Sequence, residues 1–370
     1  MGDRIVVMGG GVIGLSCALE LRRRGHEVTL LEIVDCGGQA SGAAAGMLAP
    51  YSENVEGPDA FFKLCLGSLN LYPAWKDEVR TLSGQTFEYT ESGSLYAAYH
   101  DADRLSLEGR LLWQRAFGST GRILEGEELF RAEPLLSRDV KAALYTPEES
   151  HVYAPDYVRA LEKACELTGV AIFERLEALT VEEWEHSVVV RAKDGRRFEG
   201  DRLLVCSGAW AKELEETFGI RIPIYPIRGQ ICAYGQEAGE VRHMVFTSQG
   251  YLVAKANGTL VCGASEDVAG FDTSVTERGI DRLRHWNRQA FLGLADLTPF
   301  HRWAGLRPST QDGYPLLGQL SESKRVMLAA GHYRNGILLS PVTAKLAADA
   351  IEGAELPEWM SAFDPERFSL

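Results

Sequence analysis

The sequence predicts an α/β protein in which a domain built on a parallel sheet is interleaved with an α+β domain built on a mixed sheet. A β-branched run at 5–8 is followed by glycines, a helical pattern and a second strand at 28–31. Residues 223–263 are rich in strand patterns. A strand at 326–329 and a helix at 337–351 then repeat the strand-helix pattern of the N-terminus. Such alternation predicts two interleaved domains and not two domains joined by a linker.

The predicted elements follow the hydrophobic periodicity and the turn residues. The helices are predicted at 12–24, 59–82 (with a kink near Pro73), 102–117, 126–131, 156–167, 274–292 and 337–351. Strands are predicted at 5–8, 28–31 and 326–329, in short pieces through 87–99 and 223–263, and as a hairpin of 188–192 with 202–205 around Asp194-Gly195.

Composition excludes several classes of protein. The 370 residues carry a net charge of −14, which argues against a nucleic-acid surface. The seven cysteines are odd in number and form no C-x-x-C pair, which is typical of reduced thiols in a cytoplasmic protein. The eight histidines lack metal-site spacing, so no metal site is expected. No apolar stretch is long enough to span a membrane, and the N-terminal apolar segment lacks a cleavage site, so it is not interpreted as a signal peptide.

The first strand-to-helix turn has the spacing of a dinucleotide-binding motif. Gly9, Gly11 and Gly14 follow strand 5–8 in the order G-x-G-x-x-G, and Glu32 closes the second strand. The first glycine allows the tight turn, the second lets a pyrophosphate approach the backbone, and the third lets helix and strand pack closely. The helix N-terminus attracts the phosphates, and Glu32 can bind ribose hydroxyls. A Rossmann-like domain is therefore predicted. Its cofactor is NAD or FAD, because the motif does not distinguish the two.

The segment GGQASGAAAGMLAP, residues 37–50, favours FAD. A nicotinamide domain would normally continue into another strand-helix unit here, whereas a loop of small residues can lie along a large planar ring. The alternative, a plain flexible loop, is equally compatible with the composition.

Longer motifs carry a resemblance to a known family. They are MGGGVIGLSCALEL, SGAAAGMLAP, LLVCSGAW, WAGLRPSTQDGYPLLG and AAGHYRNGILLSPVTAKLAADAI. They resemble the FAD-dependent amine oxidases that include D-amino-acid oxidase and sarcosine oxidase, and within them the glycine oxidases of thiamine biosynthesis (ThiO type). The resemblance covers the chain nearly end to end. It implies a discontinuous FAD-binding domain at 1–85, 140–220 and 323–370, and a substrate-binding domain at 86–139 and 221–322.

The resemblance also implies which residues bind FAD. These are Gly9, Gly11, Val12, Ile13 and Gly14 near the pyrophosphate, Glu32, Ile33 and Ala178 near the adenosine, Ala40, Ser41, Ala45, Gly46 and Met47 along the flavin, Ser207 and Gly208 at a strand end, and His332, Tyr333, Arg334, Asn335, Gly336, Ile337 and Leu338 past the isoalloxazine. The loop at 37–48 has no His, and Ser309-Thr310 has no Cys, so we expect non-covalent FAD. The N-terminus of the helix opened by Asn335-Gly336 favours the anionic reduced flavin.

Candidate substrate contacts come from three segments. Arg307 lies in an apolar local sequence, and on residues alone a structural ion pair is the favoured role. The resemblance instead implies that its planar guanidinium binds the substrate carboxylate. Arg334 and Tyr251 are the next candidates, although a tyrosine in a strand can also simply pack the sheet. Gln249 and Met47 complete the expected lining.

The resemblance implies oxidation of glycine, and of sarcosine and small D-amino acids, by hydride transfer to FAD with O₂ as acceptor and hydrogen peroxide as a product. No side chain is expected to act as a general acid or base. The main alternative is a D-amino-acid or sarcosine dehydrogenase with another electron acceptor. A tRNA-modifying flavoprotein and a non-catalytic flavin subunit are less compatible with the acidic charge and with Arg307, Tyr251 and Arg334. The resemblance also implies a homo-oligomer, specifically a homotetramer.

Overall fold

A computed structural model describes residues 2–235, 240–294 and 296–369. Its strands are β1 (Arg4–Met8), β2 (Glu27–Leu31), β3 (Met47–Leu48), β4 (Tyr89–Thr90), β5 (Ser94–Ala98), β6 (Arg122–Glu125), β7 (Ala142–Thr146), β8 (Ser150–Val152), β9 (Ala171–Phe173), β10 (Leu179–Glu183), β11 (Val188–Ala192), β12 (Arg197–Gly200), β13 (Arg202–Val205), β14 (Ile224–Tyr234), β15 (Met244–Phe246), β16 (Tyr251–Ala254), β17 (Leu260–Gly263), β18 (His301–Thr310), β19 (Leu316–Gln319) and β20 (Val326–Ala330).

The helices complete the inventory. They are α1 (Val12–Arg23), α2 (Ala40–Ala43), α3 (Pro50–Glu53), α4 (Ala60–Ser83), α5 (Asp101–Ala116), α6 (Gly126–Ala132), α7 (Ala154–Thr168), α8 (Glu215–Phe218), α9 (Glu277–Ala290) and α10 (Gly336–Ile351), with 3₁₀ turns at Gly208–Leu214, Leu292–Leu294, Glu358–Phe363 and Pro365–Phe368.

A six-stranded sheet in the order β19-β20-β13-β1-β2-β9 forms the first layer. Its neighbours are parallel except at the β19–β20 edge. The alternation along β1 sends Ile5 and Val7 into one core and Val6 and Met8 into another. Both faces are therefore buried, as is usual for parallel strands.

Different elements cover the two faces of this sheet. Helices α1, α4, α7 and α10 pack together on one face, where they bury Leu15, Phe62 and Leu339. The antiparallel sheet β10-β11-β12 contributes Val188, Val190 and Phe198 to the core on the other face.

An eight-stranded sheet in the order β18-β14-β17-β16-β15-β5-β7-β6 forms the second large unit. It is antiparallel except for the β15–β5 pair. Helix α9 buries Ile280, Leu283 and Trp286 in the core on one side. On the other side Ile231 and Tyr251 pack with the small residues Ala45 and Ala49. A small sheet, β3-β8-β4, lies beside these residues.

The predicted fold class is confirmed, with two corrections to the elements. The hairpin partner of β11 is β12, whereas residues 202–205 form β13 beside β1; the prediction that 188–192 pairs with 202–205 was wrong. The strand formed by residues 301–310 was not predicted, although β18 pairs along nearly the whole of β14. Among the described residues, no helix is both long and apolar enough to cross a membrane.

Candidate active site

The glycine turn between β1 and α1 has the geometry that its sequence requires. Gly9 has φ +108°, a conformation that L side chains rarely adopt, and a Cβ there would lie 2.5 Å from the Cys206 carbonyl oxygen. A Cβ on Gly14 would lie 1.8 Å from the Gly9 carbonyl oxygen. The first glycine therefore makes the turn, and the third lets α1 approach it.

Glu32 ties the turn to the end of β2. One carboxylate oxygen accepts from the Gly10 N–H at 2.7 Å, and the other accepts from the Val34 N–H at 2.9 Å. The side chain is buried and lines the cavity described below. Glu32 thus has a structural function in the turn, and each oxygen keeps a second lone pair for a hydroxyl.

The small-residue segment after β2 meets the N-terminus of α1, packs against α7 and β18, and is not a plain flexible loop. It contains α2 and β3, and the Ser41 hydroxyl accepts from the Val12 N–H at 2.9 Å. Gly46 has φ +77°, and a Cβ there would lie 2.1 Å from the Val152 carbonyl oxygen. Met47 pairs across the strands with His151, which places the segment against β8.

A second helix N-terminus reaches the same space. Helix α10 begins after Asn335, which makes no side-chain cap, and the first N–H groups of a helix have no intrahelical partner. The preceding His332 is buried, and its Nε2 lies 3.1 Å from the Thr343 hydroxyl. Burial lowers the pKa of His332 to about 3, so its ring is neutral at physiological pH.

These elements enclose one long cavity of about 600 Å³. The predicted cofactor-binding residues on its wall are Gly9, Gly11, Val12, Ile13, Glu32, Ile33, Ala40, Ser41, Ala45, Gly46, Met47, Ala178, Ser207, Gly208, His332, Tyr333, Arg334, Gly336 and Ile337. The predicted substrate contacts Arg307 and Tyr251 are on the wall as well. The structure therefore brings most of the predicted positions to a single space between the two large sheets.

Arg307 lies on β18 over a glycine of the neighbouring strand. A Cβ at Gly229 on β14 would lie 2.4 Å from Cζ of Arg307, so only a glycine leaves room for the guanidinium there. Its Nη1 donates to the Ser265 carbonyl at 2.9 Å. Among the described residues no carboxylate lies within salt-bridge distance of Arg307, so the structural ion pair considered for it is wrong.

Tyr251 is buried at the start of β16, with its hydroxyl over Gly263 of β17. A Cβ on Gly263 would lie 2.4 Å from the Tyr251 oxygen. Burial raises the pKa of Tyr251, while the charges of Arg307 and Arg334 act in the opposite direction. The phenol therefore stays protonated and able to donate a hydrogen bond beside the two guanidinium groups.

Arg334, unlike Arg307, has acidic partners. Its guanidinium nitrogens lie 3.4 Å from Glu53 and 3.4 Å from Glu266. Tyr333 donates to the same Glu266 oxygen at 2.9 Å. Glu53, Glu266, Gly229 and Gly263 were not predicted from the sequence, and for the two glycines their positions inside strands were the available signal.

Four predicted positions do not line the cavity. Gln249 is exposed in the turn before β16, where its backbone N–H donates to Thr247, so the structure does not place it at the substrate end. Gly14 and Leu338 are buried behind the wall, and the Leu338 carbonyl accepts from Ser68. Asn335 occupies the N-cap position of α10, but its side chain makes no capping hydrogen bond. Away from the cavity wall, Cys36, Glu162 and Glu174 bring potential metal-ligand atoms within 4.8 Å of one another.

The cavity fits FAD by the chemistry of its wall. Both helix N-termini at the cavity lack a side-chain cap from their own N-cap residue, which suits a pyrophosphate at α1 and an anionic ring at α10. The Ser207 hydroxyl oxygen is buried and has no hydrogen-bond partner among the described residues, so a polar group of a ligand would satisfy it. Small residues line the path between the two ends.

Comparisons with known proteins agree with this geometry. Residues 4–350 match the family described as FAD dependent oxidoreductase (DAO). A glycine oxidase of Geobacillus kaustophilus (strain HTA426) is 33% identical over 369 residues, which are 99% of this chain and 96% of that protein. The bifunctional protein ThiO/ThiG of Synechocystis sp. (strain ATCC 27184 / PCC 6803 / Kazusa) is 32% identical over 98% of this chain and 54% of its own length.

A solved structure of glycine oxidase from Geobacillus kaustophilus has a TM-score of 0.92, with 30% identity and 99% of both chains covered. The match spans both large sheets and the cavity between them. The chain is therefore an FAD-dependent enzyme and belongs to the FAD-dependent oxidoreductase family DAO.

Proposed function

We propose that this chain is an oxidase that deaminates glycine, with sarcosine and small D-amino acids as further substrates. For glycine the balanced reaction consumes one water and one O₂ and releases glyoxylate, ammonia and hydrogen peroxide. The proposal rests on one observation above all: the Arg307 guanidinium lies at the cavity wall and has no acidic partner among the described residues. A guanidinium of this kind binds a carboxylate through two parallel hydrogen bonds.

In this proposal the residues of the chain act by orienting the substrate. Arg307 would hold the carboxylate, and Tyr251 on β16 would donate to it from above Gly263 of the neighbouring strand β17. His332 is neutral and the wall residues of the 40–46 segment are uncharged, so neither adds charge to the cavity. Bound FAD supplies the acceptor for the hydride that leaves Cα. Positioning then accounts for the protein's contribution, so we assign no general acid or base.

Non-covalent binding of FAD is part of the proposal. The wall residues of the 40–47 segment are Ala, Ser, Gly and Met, and the only thiol and imidazole on the described wall, those of Cys206 and His332, are both buried. Acid precipitation of the yellow protein should leave the flavin in the supernatant; a yellow pellet would contradict this.

Anaerobic reduction separates the proposal from a binding function. The FAD-loaded protein is mixed with glycine without O₂, and the flavin absorbance at ~450 nm is followed. Bleaching, followed by one hydrogen peroxide per turnover when air is admitted, is the expected result. Bleaching without peroxide would indicate the dehydrogenase alternative with another acceptor, and no bleaching with any small amino acid would refute the proposal. Arg307→Ala, which removes the carboxylate contact, is the matched variant.

The biosynthetic assignment is also proposed. Similarity to a bifunctional ThiO/ThiG protein supports a function in which glycine oxidation supplies the imine for the thiamine thiazole. Expression in a cell that lacks this activity should restore growth without thiamine, and Arg307→Ala should not. All seven cysteines are free thiols, which supports a cytoplasmic location. No nucleic acid partner is proposed, given the net charge of −14.

Domain division and assembly complete the proposal. We assign 1–85, 140–220 and 323–370 to FAD binding, and 86–139 and 221–322 to substrate binding. Two strands pair outside the domain to which these bounds assign them. Strand β7, in the FAD-binding range, pairs with β5 in the eight-stranded sheet, and β19, in the substrate-binding range, pairs with β20 in the six-stranded sheet. A homo-oligomer, specifically a homotetramer, is proposed from the family resemblance, and light scattering on the purified protein tests it.

A further inference from the structure

The two arginines of the candidate site differ in their surroundings. Arg307 bonds only to the Ser265 carbonyl among the described residues, so its positive charge is uncompensated. Arg334 lies between two carboxylates, Glu53 and Glu266, at 3.4 Å from each. The same cavity wall therefore presents one arginine that is available to an anion and one that is already neutralised.

The two acids around Arg334 are fixed to different degrees, since Glu53 is nearly buried and Glu266 is half-exposed but hydrogen-bonded. The Glu53 side chain is only 9% exposed, at the end of α3. Glu266 directly follows Ser265, the residue that binds Arg307, and its Oε1 also accepts from the Tyr333 hydroxyl at 2.9 Å. Both carboxylates raise the pKa of Arg334, and burial opposes them. The guanidinium is charged, but its field is cancelled locally.

We propose that Glu266, together with Glu53, makes this site selective for amino acids with a single carboxylate, because these two acids keep Arg334 from binding a second one. The inference rests on the proposed function, in which Arg307 binds the first carboxylate. A substrate with a further carboxylate near the amine would have to displace Glu266 from Arg334 and lie next to Glu53. The second carboxylate would be repelled by the carboxylate of Glu53, and Glu266 would lose its partner Arg334. Repulsion and loss of a charge partner are common means by which a site rejects a wrong ligand.

Iminodiacetate and its monoamide provide the matched pair of substrates. The two molecules have nearly the same size, and only the diacid carries the second negative charge, so their kcat/KM ratio reports charge selectivity and not the volume of the cavity. In the FAD-loaded wild type we expect the monoamide to be preferred by roughly tenfold, the effect of about 1.4 kcal/mol. In Glu266→Gln the preference should fall to about threefold or less, since Arg334 then has a neutral partner on one side.

Asp272→Asn is the control variant. It removes one negative charge from the same loop, but Asp272 pairs with Arg228 and not with Arg334. The monoamide preference should stay at its wild-type value in this variant. Equal use of diacid and monoamide by the wild type would overturn the inference, and so would an unchanged ratio in Glu266→Gln.

A binding measurement keeps the inference testable if turnover fails. Glycolate and malonate carry one and two carboxylates, and their binding can be followed through the flavin absorbance. Wild type should bind glycolate more tightly, and Glu266→Gln should reduce the difference. If the protein does not oxidise glycine, the proposed function is refuted. If the wild type binds malonate as tightly as glycolate, only the selectivity is refuted.

Discussion

Gly229 leaves the space that the guanidinium of Arg307 occupies, so a single added methyl group tests the whole arrangement. In Gly229→Ala the new Cβ would lie 2.4 Å from Cζ and Nη1 of Arg307 and 2.5 Å from Nη2. Non-bonded heavy atoms need about 3.5 Å, so the guanidinium has to move by about 1 Å. Because the atoms in conflict are the far end of a flexible side chain, the strand itself can remain in place.

Displacement of the Arg307 guanidinium in Gly229→Ala should weaken substrate binding. A shift of about 1 Å would break at least one of the charge-assisted hydrogen bonds proposed between Arg307 and the substrate carboxylate, each worth about 1.5–3 kcal/mol. That energy corresponds to a rise in the KM for glycine of roughly 10- to 150-fold. Initial rates of peroxide formation measure it, with the visible spectrum and the FAD dissociation constant as indicators of an intact cofactor site.

Gly305→Ala is the matched control, since Gly305 pairs with Gly229 across β14 and β18. A Cβ there would lie 2.7 Å from the Ala43 Cβ in the segment expected to follow the flavin. This variant should weaken FAD binding, and its KM for glycine with saturating FAD should change less than that of Gly229→Ala. A KM within threefold of wild type in Gly229→Ala would refute the assignment of Arg307 to the substrate carboxylate.

Three further predictions follow from the same contacts. Gly14→Ala places a Cβ 1.8 Å from the Gly9 carbonyl oxygen, so the purified protein should be nearly colourless, and FAD titration should show at least a 100-fold weaker affinity (about 2.7 kcal/mol). Asp267→Asn disturbs the Ser265 hydroxyl, which donates to Asp267 at 2.7 Å, and since the Ser265 carbonyl binds Arg307, the KM for glycine should rise roughly three- to tenfold with a smaller change in kcat. An unchanged KM would mean that Ser265 is held without Asp267. Burial raises the pKa of Glu149 to about 7, against hydrogen bonds from Ser52 and Ser94 that lower it. The folded state therefore binds more protons than the unfolded state between pH 4.5 and 7, and this group's contribution falls by about 3 kcal/mol as pH rises through that window. Urea unfolding at pH 5 and pH 8 should show a smaller decline in Glu149→Gln than in the wild type, and equal declines would contradict the raised pKa.

Local sequence rules were sufficient for the first domain. The β-branched run, three glycines, helix and second strand occur in the predicted order, and Gly9 and Gly14 have the predicted conformational and packing functions. The positive φ of Gly9 and the close approach of Gly14 to Gly9 involve residues close in the chain, which a single sequence specifies, whereas the approach of Gly9 to Cys206 depends on the fold.

The pairing of strands from distant segments was harder to predict from the sequence. The hairpin error arose because 197–200 and 202–205 are both strand-like and separated by one residue, and only the position of β1 decides which of them enters the parallel sheet. Gln249 was expected near the substrate because it stands where the resembling family often has a histidine, two residues before the tyrosine, but in the structure it is exposed. Strand β18 was missed because its apolar and polar residues do not alternate cleanly.

The sequence by itself determined the nucleotide-binding turn, the small-residue segment and the presence of Arg307, Tyr251 and Arg334. Only the tertiary structure decided which arginine is available to a substrate, since the partners of Arg334 come from α3 and from the segment after β17, far apart in the chain. Local sequence patterns specify the conformation of residues that are close in the chain. The charge state of a site depends on the sum of contacts from distant segments, which forms only when the two sheets enclose the cavity.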